Sequence, residues 1–257
     1  MLQAHSLLWN YLSVAPNVFL LALGLLAWKR GLWRQFPAFV LFLFASPLAD
    51  LAVFAADVMP WVSPVNFWRI DWGSLLIESV LKFIVIAEIF SHVVKPYPSI
   101  SRIGKVLISG FGAAMVLLAT LVAAFSPGDS TFRLISGFHL LVQTVFIVEL
   151  SLAVFVFLFA AYFHLSWDRL SFGILLGFGF SACGYLAAWA IVSNADPSSR
   201  GRTLLDFLEM GIYHFCVLIW CYYLLVPQKA SAPEPAPVLP EHNLELWNRE
   251  LERLLQQ

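Results

Sequence analysis

Between Leu7 and Val226 the chain is almost entirely a series of long apolar stretches, and two of them, Val18 to Ala27 and Val154 to Ala161, contain no polar side chain at all. A hydrocarbon core roughly 30 Å thick takes about 20 apolar helical residues to cross. Lipid leaves backbone N–H and C=O groups no water to bond, so only helices and closed barrels span it. Barrel strands alternate apolar and polar residues with period two, and these uninterrupted runs do not. The pattern therefore predicts an all-α, polytopic transmembrane bundle with spans at 7–28, 36–58, 74–94, 105–125, 134–164, 170–193 and 203–226. Composition agrees: 60% of residues are hydrophobic and 12% charged, with a mean hydropathy of +0.81, against about 25% charged in soluble domains.

Positive residues resist translocation and collect on the cytoplasmic side. Lys29, Arg30, Arg34, Lys95, Arg102, Lys105 and Arg169 follow the first, third and fifth spans, and Lys229 follows the seventh. The opposite loops contain Arg69, Arg133, Arg200 and Arg202. The bias predicts an outside N-terminus and a cytoplasmic C-terminus. No Lys or Arg precedes Lys29, so the first span reads as a retained anchor and not as a signal peptide, which would open on a basic region. Tryptophan prefers the two interfaces, and Trp9, Trp61, Trp68, Trp72 and Trp189 fall at the expected outer ends, Trp28, Trp33 and Trp167 at the inner ones.

The transmembrane domain is expected over 1–226, followed by a Pro-rich linker at 227–240 that holds Pro227, Pro233, Pro235, Pro237 and Pro240 and favours extended chain. Residues 241–257 read as an amphipathic helix with Leu244, Trp247, Leu251 and Leu254 on one face, flanked by Glu245, Arg249, Glu250 and Arg253. That stripe needs a cover, which is either the bilayer surface and the protein's own loops or a two-heptad contact with a protein partner or a second copy. Cys183, Cys216 and Cys221 all lie within spans, as packing residues and not as a disulfide framework or zinc spacing. A net charge of −1 without a basic block argues against nucleic acid as a partner, which leaves the lipid bilayer as the surrounding medium.

Ionisable side chains are costly at bilayer depth and normally face the bundle interior. The candidate ligand-binding set is Asp50, Glu78, Lys82, His139, Glu149, Asp206, Glu209, Tyr213 and His214. Given the orientation above, all but Glu149 lie toward the outer side, so an outward polar cavity is expected. Glu78 and Lys82 are four apart in the favoured acid-first order, either as a structural pair that makes both charges tolerable or as a lysine tuned to hold an anion. Asp206, Glu209 and Tyr213 share one helix face, with His214 about 80° from Asp206; Asp206 also suits a cap at the outer helix end. Pro47 frees a backbone carbonyl near Asp50. Gly173 and Gly177 form a small-xxx-small pattern suited to close helix packing.

The spans contain no lysine on the last helix for a retinal Schiff base, no HxxxH of a seven-helix zinc hydrolase, and no Walker A, kinase or Rossmann pattern. No catalytic residue and no cofactor is indicated. His92 with His164, or His139 with His214, could pair about a haem only at matching depth, and a metal stays open. The segments Glu88 to Pro98 and Ser101 to Lys105, with Phe172 to Gly179, resemble a group of uncharacterised bacterial seven-helix inner-membrane proteins. The resemblance implies a bacterial inner-membrane location and the same span count, with no activity. Within it Glu88, His92, Lys95 and Arg102 read as a solvated cytoplasmic junction. The expected role is a ligand-binding, sensory or complex-assembly subunit. The alternatives are a secondary transporter, for which no convincing repeat is visible, and an intramembrane metal or haem enzyme, which requires His139 or His214 to converge with Glu209 and Asp50.

Overall fold

The computed structural model describes residues 7–59, 61–97, 104, 106, 108–110, 112–113, 117, 130–165, 167–193 and 199–226, with 64, 130–141, 192–193 and 199–202 described as backbone only. All the regular structure among them is helical: α1 (Leu7–Lys29), a 3-10 turn (Leu32–Arg34), α2 (Pro37–Val58), α3 (Pro64–Val94), α4 (Ser130–Tyr162), α5 (Arg169–Ser193) and α6 (Ser199–Leu225). The described residues between 104 and 117 are helical as well. The other residues expected in the 105–125 span lie outside the described set, as do Leu244, Trp247, Leu251 and Leu254. Residues 226–257 form a unit separate from 1–225.

Among the described residues, five helical stretches are long and apolar enough to cross a membrane: Leu7–Lys29, Pro37–Val58, Val142–Tyr162, Arg169–Ile191 and Thr203–Leu225. At 1.5 Å per residue each is about 30 to 35 Å long. The expected span at 74–94 is the C-terminal part of α3, which starts ten residues earlier. Ser63 accepts the amide of Asn66 at 3.3 Å and Pro64 occupies the first turn, so a cap and a pre-set φ start the helix ahead of its polar stretch around Arg69 and Asp71. With Glu78, Lys82 and Glu88 added, α3 is too charged to stand among those five on composition alone.

The helices close into a ring. α1 packs on α2 and α6, α2 on α3, α3 on α4 and α5, α4 on α5, and α5 on α6. Their outward faces carry Val18, Leu25, Leu48, Phe54, Leu158 and Phe215, all exposed. In lipid such surfaces cost nothing, and association has to come from close packing and interhelical hydrogen bonds. The α5 and α6 pair meets both conditions. A Cβ on Gly177 would lie 2.2 Å from the Trp220 indole nitrogen, and one on Gly173 would lie 2.2 Å from Tyr223. The small-xxx-small pattern is thus spent inside the molecule. Trp220 Nε1 donates to the Ile174 carbonyl at 3.2 Å, Cys216 Sγ to the Gly177 carbonyl at 3.1 Å, and Phe39, Phe42 and Phe178 pack edge-on around the buried indole.

Helix ends are tied across the bundle. Arg30, just past α1, donates to the Leu224 carbonyl at the end of α6, where the dipole favours a cation. The Asp168 carboxylate caps α5 by accepting the Ser171 amide at 3.1 Å. Glu88 corrects its reading as a solvated junction. From within α3 it accepts the Ala38 and Phe39 amides at 3.0 and 3.1 Å, satisfying two of the unbonded donors at the α2 N-terminus. Glu88→Ala is expected to cost about 1 to 2 kcal/mol, the range of a lost N-cap. Glu88→Gln, which keeps an acceptor, should cost less. Thermal unfolding in detergent measures both.

Candidate functional site

Lys82 is the centre of the polar interior. Its Nζ lies 3.5 Å from Glu78 Oε1, one turn back on α3, and 3.8 Å from Glu149 Oε2 on α4, with side chains 12%, 21% and 0% exposed respectively. The same ammonium stands 5.2 Å from the centre of the Phe146 ring, and Phe146 stacks on Tyr185 of α5 at 3.8 Å. Two carboxylates and an aromatic face thereby occupy the surroundings of the three ammonium protons.

The network extends to α2 and α6 through Glu78. Ser46, buried beside Pro47, donates to Glu78 Oε1 at 3.3 Å, and its oxygen is 3.0 Å from the Tyr213 hydroxyl. Since the Ser46 proton goes to Glu78, Tyr213 is the donor of that second bond. Asp50 lies one turn beyond Ser46, exposed at the edge of the group, in electrostatic range of Glu78 and Lys82. Cys216 lies in range of Lys82, Glu149 and Glu78.

The structure therefore brings together Asp50, Glu78, Lys82, Glu149 and Tyr213. Glu149, expected deeper in the membrane than the other candidates, reaches Lys82 from α4. The Glu78 and Lys82 pair is not closed on itself, because Glu149 shares the lysine. Glu209 lies with Asp206 and Tyr185, on the Tyr185 side of the Phe146 stack. His214 turns away from its neighbour Tyr213 to meet α1, its Nε2 3.5 Å from the Tyr11 hydroxyl and its ring against Tyr11 and Phe19. Neighbouring residues on a helix diverge by about 100°, which separates a histidine on the α1 seam from a tyrosine in the interior. His139 lies in α4 with only its backbone described.

Ser46, Phe146, Tyr185 and Cys216 complete the cluster and were not among the candidate site residues, Cys216 having been read as a packing residue. A lone serine, aromatic or cysteine in an apolar span has no signal of its own, although Ser46 directly precedes Pro47. A groove of about 250 Å³ between α3, the 108–113 residues and α4 is lined by Phe83, Ile86, Ile108, Gly112, Val148 and Leu152. It is apolar, and none of the nine candidates lines it. Among the described residues no group of three or more His, Cys, Asp and Glu side chains could hold a metal ion. Comparison with models of known families, with characterised proteins and with solved structures gives no match to this chain.

Removing one member of a buried ion pair strands the other and typically costs about 3 to 5 kcal/mol. Lys82→Met should destabilise the protein by an amount in that range, since it strands two carboxylates. Adding Glu149→Gln and Glu78→Gln should recover much of the loss. Chemical unfolding of the single and triple variants in detergent provides the comparison.

Proposed function

We propose that the chain is an integral membrane protein of seven spans, with its N-terminus outside and its C-terminus in the cytoplasm of a bacterial inner membrane. It binds a small cation at the Lys82 cluster and serves as a ligand-binding, sensory or complex-assembly subunit. The orientation rests on the excess of Lys and Arg on one set of loops; the bacterial location rests on the resemblance described above. The observation that carries the ligand class is the sharing of one ammonium by two carboxylates. The trio has a formal charge of −1, to which Asp50 at its edge adds another negative group. An anionic ligand finds Lys82 already engaged and two acids beside it, whereas a cation corrects the imbalance.

The test is the thermal stability of the purified protein against a panel of alkali, alkaline-earth and small organic ammonium ions and across pH. At least one of these should raise the melting temperature of the wild type and leave Glu149→Gln unmoved. A wild type indifferent to every cation and to pH would sink the reading. Mass spectrometry of co-purifying molecules identifies an organic ligand.

The C-terminal stripe of Leu244, Trp247, Leu251 and Leu254 is proposed as a contact for a protein partner or a second copy. Deletion of 241–257 should change the oligomeric state or the set of co-purifying proteins. An elution profile and partner set identical to the full chain would leave only the membrane-surface role.

A further inference from the structure

We infer that Glu149 is an intramembrane proton-binding site, the proton being the cation taken by the Lys82 cluster; this inference rests on the cation-site reading above. The two carboxylates that flank Lys82 are not equivalent. Glu78 is the nearer at 3.5 Å, accepts a hydrogen bond from Ser46 and retains some exposure. Glu149 is fully buried, and among the described residues neither of its oxygens has a hydrogen-bond donor. Its cationic neighbour, the Lys82 ammonium at 3.8 Å, is well beyond the roughly 2.7–2.9 Å of a charge-assisted hydrogen bond. Desolvating an unsupported carboxylate is costly even after relaxation, and the neutral acid avoids that cost.

The surroundings choose among cations. A metal ion needs several oxygen ligands, six or more for calcium, and the described residues contain no cluster of three or more acidic, histidine or cysteine side chains able to hold one. A proton needs one oxygen. Among the described residues the titratable groups facing Glu149 are Glu78 and Lys82 from α3 and Cys216 from α6; Tyr185 of α5 lies beyond Lys82, and Tyr213 of α6 and Asp50 of α2 lie beyond Glu78. Lys82 is the one cation among them.

Binding forms one O–H bond on a Glu149 oxygen, with the proton delivered from water at the membrane face and returned there on release. Lys82 keeps its own protons. The formal charge of the trio goes from −1 to zero, and the ammonium is freed to serve Glu78 alone.

Infrared difference spectroscopy of the full chain in lipid nanodiscs, recorded across pH, tests this through the carbonyl stretch of a protonated buried carboxyl. The wild type should show a band that disappears as pH rises. The band should be lost in Glu149→Gln, kept in Glu78→Gln and moved in Glu149→Asp. Carbon-13 glutamate in the wild type should shift it, which separates it from Asp50 without any substitution that could impair folding. Absence of a pH-dependent band, its persistence in Glu149→Gln, or no shift on glutamate labelling overturns the inference. So does an amplitude set by sodium or potassium, against choline, at constant pH, which would make the occupant a metal cation. A missing band with a surviving cation-dependent melting shift removes the proton and leaves the cation site; loss of both removes both.

Discussion

A charge inside a lipid-embedded bundle has no water to solvate it, and the arrangement around Lys82 is how this chain meets that constraint. The ammonium sits between Glu78 on its own helix and Glu149 on α4. Glu78 in turn carries Ser46 of α2, which carries Tyr213 of α6. Four helices are thus joined through one positive group. Apolar side chains cannot supply such a link in lipid, where the surrounding tails are as apolar as the core.

The rest of the bundle supplies contact that is close and directional. Glycines at 173 and 177 let α5 approach α6 until the Trp220 indole reaches the Ile174 carbonyl. The same approach brings Cys216 within bonding distance of Gly177 and fixes the rotation of α6. That rotation turns Tyr213 toward Ser46 and His214 toward α1. Packing on the Trp220 side of α6 therefore sets which polar side chains enter the interior two turns earlier. The capping of α2 by Glu88 fixes the start of the helix that carries Ser46 and Asp50, so a charge near one end of the bundle positions polar groups further along.

Much of the helical architecture was legible, because apolar runs of about 20 residues leave few alternatives. The glycine pattern read correctly as packing, and Glu78 with Lys82 read correctly as neighbours, since both depend on local helical spacing. What could not be read depended on helix rotation. Glu149 is distant in sequence from Lys82, and nothing in its surroundings of Val148, Leu150 and Leu152 announces a partner. Glu88 looked solvated because the amides it caps belong to another helix. Spacing alone could not place Tyr213 inside and His214 on a seam, because that choice is made by the contacts of α6 as a whole.

The position of Lys82 also limits what the cluster can do. An ammonium at 3.5 and 3.8 Å from two carboxylates holds neither at the length of a strong charge-assisted bond. The two acids sit on different helices and share the one ammonium. Any event that neutralises one carboxylate removes its claim on the lysine and favours the other. On the Glu78 side that preference acts on Ser46, whose neighbour Pro47 gives no backbone hydrogen bond to the previous turn of α2. The turn of α2 that lacks this bond is thus the one that carries the contact to Glu78.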